Sequence, residues 1–420
     1  MGVTPLVRIL FFLEPVVFQS NPHFLEAHFM WVNAVYAACQ HAGYAFVLAA
    51  NAEVCGTWQS LAAPDDAARE CSEIDSFAPL QPFGYNRAAY AKALYGSGLR
   101  PSQLVDALIA VRQKYVPDLV VMTSQNAFVR HAFEGISILS LEQAPLPRFG
   151  HPVRTAFDPC GHQTNSLLDT FSSRIRSLPL TVNDRRALSN LLAEIKENLL
   201  RSDRRAVDAI EALTKIRLEG PVALLVTQPP DWVTYEGAGE HIALEGLICA
   251  WMATLPAGWI GVPTYHMGFR LSNAVEESIS RHCPQLRFLP NACAQGFTEP
   301  LLLAADGMIT LSSTSAITGL LFQKRVVVTG ASPFNSWTES HPSLIAIAPI
   351  LTDDEVLSML GFLTNRFIYR QESLIKSPEL VSNIIDAGIS ARGNVDWLFD
   401  MNAWSIEKAR SLFSFPDATL

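Results

Sequence analysis

Positive charge is scarce in this chain. Charged residues make up only 17% of it, and 31 Lys and Arg stand against 40 Asp and Glu, for a net charge of −9. No basic stripe is available to neutralise phosphates, which argues against nucleic acid as a partner. Cysteine is sparse and unpatterned. The seven, at positions 39, 55, 71, 160, 249, 283 and 293, are odd in number and show no CxxC or Cys/His spacing. That excludes a disulfide scaffold or a zinc module and fits reduced, mostly structural thiols in a cytosolic protein. Long apolar runs are missing too: no stretch approaches the roughly 20 residues of a membrane span. Residues 9–13 are apolar but too few for a signal peptide, and the polar Glu14, Gln19, Asn21 and His23 follow at once. Tandem repeats and low-complexity segments are also lacking.

What is present is burial capacity. A hydrophobic fraction of 49% in 420 residues exceeds what one ordinary core holds, so two domains are expected. The first half alternates strand-like runs (7–13, 44–49, 119–123, 136–141) with helical spacing over 24–42 and 104–115, the pattern of a parallel sheet with helices on both faces. Residues 167–217 turn helical and charged and close at Gly220, as a connector with a solvated face would. A second alternation opens at 222–227 and continues through a helix near 244–255 and a strand at 259–262. The expected fold class is therefore α/β, with two doubly wound, Rossmann-like domains facing a central cleft and the ligand between the carboxyl ends of the two sheets.

The most informative stretch is DGMITLSSTSAITGLLFQKRVVVTGASPFNSW, residues 306–337. It reads as a buried strand, a hydroxyl run (Ser312, Ser313, Thr314, Ser315), a helix, a second buried strand and a Gly/Pro-punctuated loop. Small hydroxyl residues before a helix start suit a phosphate. The plain alternative is that Ser315 only caps the helix.

Three further segments matter: LEQAPLPRFGHPVRTAFDPCGHQTNSLLD (141–169), VALLVTQPPD (222–231) and GVPTYHMG (261–268). Together with the hydroxyl run and its PFNSW loop, they resemble the capsule-type Kdo transferases of GT-B architecture, which transfer 3-deoxy-D-manno-oct-2-ulosonic acid (Kdo) from CMP-Kdo. The similarity is scattered over about two thirds of the chain. The chain departs from the family pattern in four places. Met267 follows His266 where proline is usual, Ser312 replaces an asparagine, Gln323-Lys324 replaces Gly-Lys, and the lysine before the histidine motif is missing.

The resemblance implies a retaining β-Kdo glycosyltransferase, CMP-Kdo as donor substrate, and a capsule, O-antigen or glycolipid acceptor. Cleavage at an anomeric carbon develops positive charge there, so carboxylates are the expected catalysts. Asp158 is the expected nucleophile, with Glu142 as acid/base or its support. Asp158 also fits a plain turn before proline, and Glu142 an ordinary loop carboxylate. Glu14, at the carboxyl end of the first strand, is an alternative acid/base or an acceptor-binding group, and His23 and His28 follow it in the chain. In the second half, His266 matches the family's CMP-binding histidine, and Ser313 and Thr314, with Ser312 and Ser315, would bind the same phosphate. Gln228 is a candidate for donor sugar or base, Arg270 and Arg148 for the Kdo carboxylate, and Phe334 and Trp337 for the cytosine pocket or simply the core.

No Asp-x-Asp pair is present, so a metal-independent reaction without further cofactor is expected. The expected domains are 1–170 (acceptor and catalysis), 171–219 (helical connector), 220–390 (CMP binding) and 391–420, a helical segment returning to the first domain. A lipid-linked acceptor would bring a cytoplasmic protein to the inner face of a membrane without a span. Two alternatives stand beside this: a GT-B transferase using another nucleotide sugar (a CMP-nonulosonate or UDP-sugar), and an inert nucleotide- or glycan-binding scaffold.

Overall fold

The structure is a computed structural model. It describes residues 6–16, 22–61, 69–96, 101–123, 125–230, 232–239, 243–267, 269–391 and 394–414, without the side chains of 22–27, 291, 391 and 403. Asp231 and Gly268 of the motif segments and the side chain of His23 therefore lie outside the described residues.

Eleven strands run through these residues: β1 (Arg8–Phe12), β2 (Ala45–Ala50), β3 (Cys71–Glu73), β4 (Leu119–Met122), β5 (Ser137–Gln143), β6 (Arg154–Asp158), β7 (Val222–Val226), β8 (Ile260–Thr264), β9 (Gly307–Thr310), β10 (Arg325–Val328) and β11 (Ile368–Arg370). They form a seven-stranded sheet in the order β11-β6-β5-β4-β1-β2-β3 and a four-stranded sheet in the order β10-β9-β7-β8. The chain divides into two compact units. The first is Met1–Gln143, Arg154–His162 and Tyr369–Trp397, and the second is Ala144–Val153, Gln163–Ile368 and Leu398–Leu420.

In the first unit β1, β2, β3, β4 and β5 are parallel, while β5 and β6 pair antiparallel. Strands of the parallel part are apolar on both faces because helices cover both. One face carries Ile9, Phe11, Leu48, Val121, Leu139, Leu141 and Phe157 into a single core. Phe29, Val32, Val35 and Cys39 of the helix Pro22–Ala42 meet them at helical spacing, as do Val381, Ile384 and Ile385 of the helix Pro378–Ala391. The first of these helices stops where Gly43 turns to φ +72° and the Tyr44 N–H reaches back to the Cys39 carbonyl at 2.8 Å.

The second unit holds four parallel strands, β7 pairing with β8 and β9, and β9 with β10. The charged stretch 171–219, expected as a connector, folds into this unit. Its helix Val182–Arg201 starts in a capping box between Thr181 and Asp184, and buries Leu188, Leu191, Ile195 and Leu199 along one stripe. Arg217, ending the next helix, donates from Nε to Asp306 at 3.0 Å, and Asp306 also accepts from the Val222 N–H.

The linear division by sequence thus differs from the compact units. The helix Pro378–Ala391 belongs to the first unit, because its apolar stripe packs on the helix Pro22–Ala42. Residues 398–420, expected to return to the first domain, cluster with the second. Replacing Ile385 by Ala is therefore expected to cost about 2–5 kcal/mol. Amide exchange checks its locality: protection should fall across β1 and the helix Pro22–Ala42 and stay unchanged across β7 and β9.

Candidate active site

The antiparallel pairing of β5 with β6 places the first candidate carboxylates. Across the sheet, Ala49, Phe12, Met122, Ser140 and Asp158 are successive Cα partners, so Asp158 stands level with the carboxyl ends of β1 and β4. Opposed residues on antiparallel strands share a face, as do residues two apart. Ser140, Asp158 and Glu142 therefore lie on one face of the β5–β6 ladder, and Leu139, Leu141 and Phe157 fill the core on the other. Glu142 faces Ala156 and is the diagonal neighbour of Asp158. Such diagonals separate Cα atoms by about 7–8 Å.

The two carboxylates have different surroundings. Asp158 is buried, and its Oδ1 accepts from the backbone N–H groups of Cys160 at 2.8 Å and Gly161 at 3.2 Å, in an Asx turn. The turn that the Asp-Pro dipeptide suggested is therefore real, and it orients the carboxylate. Glu142 keeps 43% of its side chain in solvent and meets the Nδ1 of buried His162 at 3.2 Å. An Nδ1–H donated to the carboxylate fixes the ring tautomer and leaves a lone pair on Nε2. Half-buried Tyr95 lies near enough that the Glu142 charge, after burial, raises its phenol pKa. Cys160 beside Asp158 is pushed up to about 12 by burial and by that carboxylate, so its thiol stays protonated.

Glu14 occupies the expected strand end but is sealed off from solvent, at 0% exposed. Its Oε1 accepts the Tyr90 hydroxyl at 2.5 Å and its Oε2 the Val16 N–H at 3.0 Å. Burial, then the carboxylate beside it, holds the Tyr90 phenol well above its ordinary value, so it remains the donor. Glu14 is thus closed to solvent, whereas Glu142 stays partly in water. His28 is buried edge-to-face on Trp31 at 5.2 Å, as a packed imidazole.

In the second unit the strand ends gather most of the expected nucleotide-binding residues. β7 lies between β9 and β8, and Gln228 stands two residues past its end; the Oε1 of that side chain accepts from Ser312 N–H at 3.2 Å and Ser312 Oγ at 3.1 Å. Ser313 N–H donates to Thr310 Oγ1 at 3.2 Å, and its Oγ accepts from Ser315 N–H at 3.2 Å. Ser315 is the first residue of the helix Ser315–Leu321, and Thr314 before it makes no side-chain cap. The hydroxyl run is therefore held mainly by the neighbouring strand and by itself. Ser313 and Thr314 remain half-buried, whereas Ser312 and Ser315 are buried.

His266 follows β8, its ring exposed on one side and 4.8 Å from that of Trp232 on the other. That partial burial, and then the positive charge of Arg148, lower its pKa below 6.5. Arg270 is committed elsewhere. Its Nη2 and Nε donate to the two oxygens of Glu276 at 2.9 and 3.1 Å, a fork-to-fork pair. The backbone N–H groups of Arg148 and Phe149 both reach Glu299 Oε2 at 2.7 Å. Phe334 and Trp337 are core residues; Trp337 donates Nε1–H to the Leu168 carbonyl at 2.7 Å, and neighbouring Ser336 bonds Asp169. Two of the motif segments thus meet within this unit.

Sequence reasoning missed Tyr90, Tyr95, Arg130, His162 and Trp232. His162 alone had a local signal, lying inside the DPCGHQTN segment. The others come from helices or loops with no motif. Among the described residues no helix is long and apolar enough to cross a membrane.

No protein-family model matches the chain, and no curated protein matches it either. Among solved structures it is similar to the β-Kdo 2,7 transferase of Thermosulfurimonas dismutans KpsC, at 13% identity and a TM-score of 0.40, over 67% of this chain and 90% of that one. The β-Kdo 2,4 transferase of the same KpsC gives 14% identity and 0.33, over 58% and 79%. The N-terminal domain of Candida albicans trehalose-6-phosphate phosphatase gives 12% and 0.36, over 92% and 97%. Likenesses this distant carry no argument about activity.

Two measurements probe the geometry. By proton NMR, His266 should titrate below 6.5, and Arg148→Ala should move its midpoint upward. Between the lowered folded value and the ordinary one the unfolded chain binds the extra proton, so this group withdraws stability as pH falls through that window. Removing the hydroxyl with Tyr90→Phe should cost about 1.5–3 kcal/mol in urea unfolding, because it takes a donor from a buried carboxylate.

Proposed function

We propose that this chain is a retaining glycosyltransferase of GT-B type that moves Kdo from CMP-Kdo to a surface-polysaccharide or glycolipid acceptor. The observation that carries the proposal is the β5–β6 register, which sets Asp158 and Glu142 as diagonal neighbours on one face, with His162 behind Glu142. The motif resemblance supplies the sugar and the nucleotide.

In this scheme an Asp158 oxygen attacks the anomeric carbon of the donor. The carbon–oxygen bond to the phosphate breaks, and its electron pair leaves on CMP. The acceptor hydroxyl then attacks the same carbon from the opposite side, Glu142 takes its proton, and the Asp158 carboxylate departs. Two displacements restore the starting configuration. The Asx turn supports this role, because two N–H groups fix Oδ1 and hold the carboxylate in one orientation. The partly solvated Glu142 can exchange its proton with water between turnovers, and His162 holds it in place.

The second unit is assigned the nucleotide. Ser313 and Thr314 present hydroxyls, Gln228 and Ser312 brace the strand ends, and a neutral His266 offers a ring N–H to the leaving phosphate. Arg270 has a lesser part in this scheme, since Glu276 already fills its fork. No metal or further cofactor enters the scheme, and the proposed setting is the cytoplasmic face of a membrane bearing the acceptor.

Asp158→Ala is expected to abolish Kdo transfer, by at least about a thousandfold in kcat, with CMP affinity unchanged. Mass spectrometry of the Glu142→Gln variant incubated with CMP-Kdo should show one added Kdo on the Asp158 peptide. Transfer surviving in Asp158→Ala removes the nucleophile assignment. Stabilisation by UDP in preference to CMP indicates another nucleotide sugar, and no response to CMP, UDP or GDP indicates a scaffold.

A further inference from the structure

Around Asp158 the first unit buries several polar atoms that have no hydrogen-bond partner among the described residues. They are Arg130 Nε and Nη2, Asn126 Nδ2, Ser140 Oγ and His162 Nε2. Asn126 and Ser140 are 0% exposed and His162 is 4%. Buried polar groups are paired in nearly all native structures, and leaving one unpaired costs about 1–3 kcal/mol. Several around one carboxylate therefore call for a ligand.

Their placement is coherent. Ser140 is the direct partner of Asp158 in the ladder. Asn126 and Arg130 lie one turn apart at the helix Ala127–Ala132. Asn126 Oδ1 accepts from the Phe128 and Val129 N–H groups at 3.0 Å each, which settles the amide orientation and leaves Nδ2 facing elsewhere. The Arg130 guanidinium lies directly over Gly161. A Cβ there would stand 2.1 Å from Nη2, and φ of +132° excludes most side chains as well. Glycine makes the room that brings the cation to the Asp158 turn. Burial lowers the Arg130 pKa, with neighbouring Cys160 and Asp158 opposing that shift, while Asp158 Oδ1 is already bound by the turn's own N–H groups.

Arg130 and Asn126 can only donate from these nitrogens, Ser140 can donate, and His162 offers a lone pair from Nε2. A ligand that satisfies them brings an anion and, beside it, a hydroxyl. We infer that Arg130, with Asn126 and Ser140, forms a carboxylate-binding subsite for the transferred sugar acid, and that His162 accepts from a hydroxyl of the same sugar. This rests on the proposed transferase reading for the identity of the sugar. It moves the carboxylate contact from Arg270 and Arg148 to Arg130. The chemical consequence is orientation: a guanidinium holding the carboxylate next to the anomeric carbon would present that carbon to Asp158.

The test is a ligand-observed NMR titration of the full chain with free Kdo, its neutral methyl ester, inorganic phosphate and CMP. Wild type should bind Kdo, and bind the ester and phosphate at least about tenfold more weakly. Arg130→Gln should lose about ten- to a hundredfold in Kdo affinity with CMP affinity unchanged. Arg130→Lys, which keeps the charge and loses the fork, should fall between them and guards against a folding defect, as does unaltered CMP binding. Kdo affinity equal in wild type and Arg130→Gln, no Kdo binding at all, or equal binding of acid and ester would each overturn the inference. Phosphate binding as tightly as Kdo would overturn it too, as a general anion site. Kdo binding that depends on Arg130 in a chain that ignores CMP would sustain the subsite and sink the CMP-dependent function.

Discussion

The antiparallel pairing of β5 with β6 is the constraint on which the candidate chemistry depends. In an all-parallel sheet, strand carboxyl ends deliver polar residues along one edge, each from its own strand. By running backwards, β6 brings its own last residue, Asp158, to the level where β1 and β4 end, opposite Ser140. Because side chains alternate with a period of two, this register also fixes Glu142 on the same face. A slip of one residue would turn one carboxylate into the core and bring Phe157 out of it. The apolar residues Leu139, Leu141 and Phe157, locked beneath the helices Pro22–Ala42 and Pro378–Ala391, therefore hold the register of the polar face.

Burial then separates carboxylates that look alike in sequence. Glu14 is enclosed with the Tyr90 hydroxyl and a backbone N–H, an arrangement suited to bracing the chain after β1. Asp158 is buried but oriented by its turn, and Glu142 remains partly in water beside His162. In the second unit the same logic sorts the cations. Arg270 spends its fork on Glu276, while Arg148 acts through its charge on His266.

Much of the fold was legible in the chain. Largely apolar runs at 7–13, 119–123, 222–227 and 325–329 mark β1, β4, β7 and β10, because strands covered on both faces leave few positions for polar residues. The hydroxyl run and His266 were legible as strand-end residues for the same reason. β6 was hidden inside a motif-bearing segment, since Arg154, Thr155 and Asp158 break the apolar pattern of a buried strand. β3 and β11, three residues each, are too short to carry a period. Arg130 left no sign either: on a short helix, an arginine looks like surface until Gly161 is seen beneath it.

The sequence by itself determined the α/β alternation, the buried strands of each half apart from β6 and the three-residue ones, and which residue types stand at strand ends, all of them consequences of local period and composition. Only the tertiary structure decided which residues share a unit, which carboxylate is sealed and which is wet, and what stands around Asp158. Those outcomes depend on contacts between segments far apart in the chain, as when Ile385 joins one core with Val121 and Leu139 or Tyr90 closes over Glu14. No local pattern encodes such a distance. It is set by how each apolar stripe finds cover and by which polar groups that cover leaves to pair with one another.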